Sequence, residues 1–188
     1  MAVQSPIRIE FELDDQDIEY FRNRLMEAKA RHGSDSEAQI IEAAESLLMR
    51  SADGKVPHFL KSRMDQLGTM IAMLKDEDWR LEGDDRAFVV NALVYFAEPH
   101  DMIPDDIPGI GFLDDAIMID LAAGELAPEL IAYAEFCDNR DELKDGVADA
   151  QPLEAARDIL QDRMRRQRRR AVRRGRSGGR SYSLFGSI

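Results

Sequence analysis

The sequence predicts an all-α protein, a bundle of about six or seven helices with one short N-terminal β-strand and a flexible basic C-terminal tail. Apolar residues recur at helical spacing in successive segments, and turns rich in Gly, Pro and Asp separate these segments. Residues 7–13 instead alternate apolar and charged side chains, which is the period of a half-buried strand. The run GRSGGRSYSLFGSI at 175–188 has the composition of a flexible tail.

The predicted strand needs a partner, because a lone strand leaves its backbone N–H and C=O groups unpaired. Residues 182–185 in the tail are the other short candidate strand. The same strand of a second chain would serve equally well. The pattern therefore predicts either a contact between the strand and the tail or a homodimer formed through the N-terminal strand.

Capping and stop residues set the expected bounds of the helices. A side-chain oxygen just before a helix accepts from its free N–H groups, glycine favours the helix end and proline the first turn. The helices are therefore expected at about 15–31, 35–52, 57–74, 85–97, 113–123, from 128 and from 152. The expected caps are Asp14 or Asp15 for the first helix, Ser34 or Asp35 for the second and Asp84 or Asp85 for the fourth.

The fourth helix is expected at the centre of the bundle. Its sequence, RAFVVNALVYFA, is apolar nearly all round, which is typical of a helix buried on every side. The polar segment before it, 75–85, is expected to be a loop and holds the only tryptophan, Trp79. Insertion of this helix and of residues 116–123 into a membrane is the alternative, which Asn91 and Asp120 make costly.

A Pro-rich elbow follows the fourth helix. Pro99, Pro104 and Pro108 lack N–H groups and keep the residue before each of them out of helical geometry. The elbow is therefore expected to be rigid and to hold its acidic side chains outward, where they face water, cap helices or bind a ligand. Those acidic residues are Asp101, Asp105, Asp106, Asp114 and Asp115.

Residues 96–119, FAEPHDMIPDDIPGIGFLDDAIMI, resemble the signature of the YkvA-like family of unknown function. The shared pattern is an aromatic helix end, then P-x-D-x-I-P-D-x-I-P from Pro99 to Pro108, a glycine turn and the pair Asp114-Asp115. The resemblance covers about residues 88–125. It implies no settled biochemical activity, and it implies nearness to a membrane for some members.

Two interpretations of the aspartates remain open. Asp in turns and at helix starts usually accepts from nearby N–H groups. Alternatively, several carboxylates on a rigid loop supply the oxygen ligands that Mg²⁺ or Ca²⁺ prefers, although the spacing is not that of an EF-hand. Under this second interpretation the cofactor is a divalent cation, and no other cofactor is expected. Its ligands would be Asp101, Asp105, Asp114 and Asp115.

The other residues that could carry out catalysis do not favour an enzyme. The three histidines, at 32, 58 and 100, are isolated in sequence, and Cys137 lies on an apolar helix face. The sequence has no Gly-rich phosphate loop, no G-x-S-x-G and no HExxH motif. An enzyme that uses only carboxylates and a metal remains open. The single cysteine and the lack of a signal-like N-terminus predict a cytoplasmic protein, either free or peripheral at the inner face of the membrane.

The charge is divided between an acidic body and a basic tail. Residues 163–188 hold ten arginines and no acids, so the other 162 residues hold 25 − 10 = 15 basic and 37 acidic residues, a balance of −22. This division predicts a helical domain at 1–162 and an Arg-rich helix end with a flexible tail at 163–188. The residues expected to bind a polyanion are Arg163, Arg165, Arg166, Arg168, Arg169, Arg170, Arg173 and Arg174.

Three roles for the tract remain open. It can be a solvated helix end, it can neutralise the phosphates of nucleic acid or anionic lipid, or it can bind the acidic body of its own chain or a neighbour. No aromatic residue lies within the tract, so base stacking is not supported. The leading hypothesis is a non-catalytic interaction module that binds an unidentified protein partner and a polyanion. The alternatives are a peripheral membrane protein and a divalent-metal-dependent enzyme.

Overall fold

The structure, a computed structural model, describes residues 13–32, 35–52, 58–97, 102–103, 107 and 111–175, and at 32, 52, 58, 59 and 172–175 it describes the backbone alone. These residues form seven α-helices, which confirms the all-α prediction. The helices are α1 (Asp15–His32), α2 (Glu37–Ala52), α3 (His58–Lys75), α4 (Gly83–Leu93), α5 (Leu113–Glu125), α6 (Ala127–Lys144) and α7 (Leu153–Gly175).

The strand and tail predictions fall almost entirely outside the described residues. Residues 7–12 of the strand and the tail from 176 onward are not described, and no strand occurs within the ranges that are. The strand, its pairing and the homodimer therefore stay predictions. The helical part of the basic region is described, and α7 is continuous across residue 163.

The caps follow local hydrogen-bonding rules, with two corrections. Asp14 caps α1, since its Oδ1 accepts from the N–H groups of residues 16 and 17 at 2.8 and 3.0 Å. Ser36, rather than Ser34 or Asp35, caps α2. Its hydroxyl accepts from the N–H of Gln39 while Gln39 Oε1 accepts from the N–H of Ser36, a reciprocal capping box.

The predicted cap of α4 is also wrong. Glu82 occupies the cap position without a side-chain hydrogen bond, and Asp84 and Asp85 lie within the first turn. α4 ends at Leu93, and the chain continues as a 3-10 turn at Val94–Ala97. The 3-10 turn falls where the predicted fourth helix was expected to end.

α3 and α4 each pack against several helices of the bundle, and α4 contacts α2, α3 and α5. α3 contacts α2, α4, α5 and α6. α4 buries Val89 and Leu93 but exposes Asn91, so the expected burial on every side is wrong. The largest side chains with almost no exposure are Leu47, Leu60, Leu67, Met70, Met73, Trp79, Leu81, Leu93, Met118, Ile119, Leu126 and Phe136.

α6 and α7 form an antiparallel hairpin. Near the hairpin turn, the Asn139 side chain donates to the backbone carbonyl of Gln151 and accepts from its N–H, each at 2.9 Å. At the opposite end, Glu129 in the first turn of α6 contacts Arg168 of α7 at 3.0 Å. The arginine tract therefore lies beside the start of α6.

The turn between α3 and α4 is buried around Trp79, which has no exposed surface. The Trp79 ring lies 5.7 Å from that of Tyr133 and 5.1 Å from that of Phe136, both on α6. Its backbone carbonyl accepts from Gln161 Nε2 of α7 at 2.7 Å. The α6–α7 hairpin thus packs against the rest of the bundle at this turn.

Candidate functional site

Asp114, in the first turn of α5, ties the Pro-rich segment to the helix that follows it. Its Oδ2 accepts from the backbone N–H groups of Met102 at 2.8 Å and Ile103 at 3.2 Å. Asp114 is 1% exposed, so both hydrogen bonds are sheltered from water. This is local backbone chemistry of the kind expected for aspartate in turns.

The expectation that the elbow holds its acids outward is wrong for Asp114 and Asp115, which are 1% and 4% exposed. Both lie in a turn of α5 that is buried by packing against neighbouring helices. Asp101 and Asp105 lie outside the described residues. Within the described ranges, no three His, Cys, Asp or Glu side chains are grouped so that they could hold an ion. The four-carboxylate metal site stays a prediction.

Replacing Asp114 by alanine is expected to destabilise the protein by about 1–3 kcal/mol, because two sheltered N–H groups lose their acceptor. Urea unfolding followed by circular dichroism measures this change. Asp84→Ala is the matched control, since Asp84 is exposed in the first turn of α4. Equal midpoints for the two variants would contradict the assigned role of Asp114.

Two arginines of the basic tract are engaged inside the chain. Arg165 Nε lies 2.6 Å from Asp85 Oδ2, and Arg168 Nη2 is hydrogen-bonded to Asp85 Oδ1. Arg168 Nη1 donates to Glu129 Oε1 at 3.0 Å, and its guanidinium carbon lies 4.6 Å from the centre of the Phe88 ring. The site joins α4, α6 and α7.

Both carboxylates of this site are buried, Asp85 at 6% and Glu129 at 0% exposure. Burial raises the pKa of Glu129 above its ordinary value, and the Asp85 charge adds to the rise while Arg168 opposes it. The second oxygen of Glu129 has no hydrogen-bond partner among the described residues. Two buried like charges side by side are unfavourable alone, so the arginines are what make this pairing tolerable.

Three other arginines of the tract face solvent. Arg166 pairs along its own helix with Asp162 at 3.0 Å, and its side chain is 60% exposed. Arg169 and Arg170 are exposed and make no ion pair with a described carboxylate. Their spacing of three and four residues from Arg166 places all three on one helix face, and Arg165 and Arg168 lie along the edge of this face that meets the body.

The remaining predicted arginines differ in position. Arg163 lies 2.6 Å from Glu135 of α6, an ion pair in which both side chains are partly exposed. Arg173 and Arg174 lie in the last turn of α7, where the structure describes the backbone alone. The polyanion role of the tract therefore stays a prediction, and it is best supported at the exposed face.

Sequence reasoning missed Asp85, Phe88 and Glu129 as partners of the tract. Asp85 was considered only as a helix cap, and Glu129 lies in a first turn where any acid is ordinary. The only sequence signal for these pairs was the division into an acidic body and a basic tract, which made binding of the tract to the acidic body one of the alternatives. It could not name the acids, because the pairs join residues 39 to 83 positions apart.

Comparison with known proteins places the elbow and its flanking helices in a family. A model of a protein family of unknown function, DUF1232, matches residues 85–121. The uncharacterized membrane protein YkvA of Bacillus subtilis (strain 168) is 31% identical over 101 residues, which cover 49% of this chain and 93% of that protein. No solved structure is significantly similar to the chain. Among the described helices, none combines the length and apolar character needed to cross a membrane.

Proposed function

The chain belongs to the DUF1232 family of proteins of unknown function, and we propose that it is an interaction module whose exposed α7 arginines contact an anionic membrane surface. The single observation that carries the proposal is the division of the tract into arginines paired with buried acids and arginines exposed to solvent. Arg165 and Arg168 are occupied by buried acids, whereas Arg166, Arg169 and Arg170 face solvent together.

The charge surroundings support the proposal. Outside residues 163–188 the chain has a balance of −22, so most of its surface repels anionic lipid. A basic face on such a body favours one orientation, in which α7 approaches the headgroups and the acidic helices point away. Each basic residue near an anionic bilayer contributes about 1 kcal/mol of attraction.

Anionic lipid is a better match than nucleic acid for three reasons. The tract carries no aromatic residue on which bases could stack. The acidic body opposes a long nucleic acid lying across the molecule. The similar Bacillus subtilis protein is named a membrane protein. Beyond the described residues, the tail carries Tyr182, Leu184 and Phe185, which we propose as shallow apolar contacts beside the basic face.

Replacing Arg166, Arg169 and Arg170 together by glutamine is expected to weaken binding to vesicles of phosphatidylethanolamine and phosphatidylglycerol by about 100-fold. Co-sedimentation at low and at raised salt measures the change, since salt screens an electrostatic contact. The wild type is not expected to bind vesicles made only of phosphatidylcholine.

The matched control removes three exposed positive charges elsewhere, by Lys61→Gln, Arg80→Gln and Lys144→Gln. This control is expected to bind like the wild type. An equal loss in both triple variants would show that only net charge matters and would overturn the proposed face. Binding to single-stranded nucleic acid that is stronger than binding to vesicles would assign the arginines to a different polyanion.

A further inference from the structure

Arg168 is held by three groups that match the shape of a guanidinium. Asp85 and Glu129 accept from its two terminal nitrogens, and its guanidinium carbon lies over the Phe88 ring, 4.6 Å from the ring centre. The acids are almost wholly buried, and Arg168 itself is 20% exposed. A planar side chain with donors on separate nitrogens satisfies all three groups at once.

We infer that Asp85, Phe88 and Glu129 form an arginine-selective latch site that holds α7 on the body, and that release from this site adds Arg165 and Arg168 to the membrane-binding face. The second half of this inference rests on the proposed function. The first half concerns this chain alone. The site takes a guanidinium, and in the described structure its occupant is the chain's own Arg168.

Lysine cannot replace Arg168 in this geometry. Its single ammonium is a compact charge without two separated terminal nitrogens, so it cannot donate to Asp85 and Glu129 in the same way from a position over the Phe88 ring. Selectivity for arginine distinguishes a built site from general attraction between a basic helix and an acidic body. General attraction would be the same with arginine or lysine at position 168.

The latch is suited to release because its contacts only partly satisfy the buried acids. One oxygen of Glu129 lacks a hydrogen-bond partner within the described part of the chain, and Arg165 is 40% exposed where it meets Asp85. Burial of charges offsets most of the attraction between them, so such a pair adds little net stability. Phosphate oxygens bind guanidinium in the same forked manner as a carboxylate and can therefore compete.

The first test is hydrogen exchange of the α7 amides in the full chain. Arg168→Lys, which keeps the charge, is expected to raise exchange of residues 161–171 at least about tenfold by opening the latch locally. Arg166→Lys, on the exposed face of the same helix, is the control and is expected to leave exchange unchanged. Equal exchange in the two variants overturns the arginine-selective site.

The second test is vesicle binding by a chain whose acids are neutralised. Asp85→Asn with Glu129→Gln is expected to bind phosphatidylglycerol vesicles roughly 30-fold more tightly than the wild type, the increment for two further basic residues at the surface. Glu82→Gln with Asp84→Asn is the control, since it removes two exposed negative charges beside the site. An equal increase in vesicle binding by the two double variants overturns the latch.

The two tests separate the latch from the proposed function. Faster exchange in Arg168→Lys, without vesicle binding by any variant, supports the latch site and refutes the membrane role. Vesicle binding that depends on Arg166, Arg169 and Arg170, with hydrogen exchange of Arg168→Lys unchanged, supports the membrane role and refutes the latch site. If the neutralised double variant does not fold, Arg168→Lys itself is used for vesicle binding and is expected to bind more tightly than Arg166→Lys.

Discussion

Replacing Trp79 by alanine is expected to destabilise the protein by about 3–5 kcal/mol, the usual cost of deleting a fully buried large aromatic side chain. Trp79 has no exposed surface and packs against the rings of Tyr133 and Phe136. Its removal leaves a cavity between the α3–α4 turn and α6. Urea unfolding followed by circular dichroism measures the loss, because the variant has no tryptophan fluorescence.

Two further variants separate packing from other effects at this turn. Trp79→Phe is expected to cost much less than Trp79→Ala, since a ring is retained and the indole N–H, which has no partner among described atoms, is removed. Glu77→Ala, at an exposed position of the same turn, is expected to change stability by less than about 0.5 kcal/mol. A large loss in Glu77→Ala would show that the turn itself, rather than the ring, determines stability.

The helices were predictable because their cause is local. Apolar residues at helical spacing are the residues that α-helices bury, and Leu60, Leu67 and Ile71 of the predicted third stripe all lie in the core. The start of α2 was predicted one or two residues too early, although Ser36 and Gln39 have the spacing of a capping box. Which helices pack against one another was not readable, because these contacts join helices distant in sequence.

The candidate site divides in the same way. Helical spacing shows that Arg166, Arg169 and Arg170 are neighbours on α7, but it also places Arg165 one turn before Arg169 and so does not separate exposed from occupied arginines. The occupied arginines depend on Asp85 and Glu129, which reach them only through the docking of the α6–α7 hairpin. A charge count treats all the arginines alike, whereas burial separates those that the chain itself uses from those it presents to solvent.

Asp76 connects the α3–α4 turn to α6, and Asp76→Asn is expected to cost about 2–4 kcal/mol because it breaks a mostly buried charge pair. One carboxylate oxygen accepts from the N–H of Trp79 at 3.0 Å. The other accepts from the Tyr133 hydroxyl at 2.9 Å and from Arg140 Nη1 at 2.7 Å. An asparagine of the same size keeps one acceptor oxygen but presents an amide to the remaining donors.

The cost of Asp76→Asn is expected to depend on pH in a defined direction. Burial raises the pKa of Asp76, but hydrogen bonds from Trp79, Arg140 and Tyr133 outweigh it, so the folded-state pKa lies below the ordinary 3.8. A carboxylate with a lowered pKa stabilises the fold fully above its unfolded pKa, and this contribution is lost as pH falls through the folded pKa. The difference between wild type and variant is therefore expected to be constant near neutral pH and to shrink below about pH 4.

Asp78→Asn is the matched control for this prediction. Asp78 lies two residues away, is 57% exposed and approaches Arg140 no closer than 3.6 Å, so its loss is expected to cost less than about 1 kcal/mol. The two variants remove the same charge from the same turn, so only the sheltered hydrogen bonds of Asp76 distinguish them. A pH-independent cost in Asp76→Asn would mean that its carboxylate contributes through shape alone. The backbone carbonyl of Trp79 in the same turn accepts a hydrogen bond from Gln161 of α7. Asp76→Asn is therefore also expected to speed hydrogen exchange of the α7 amides.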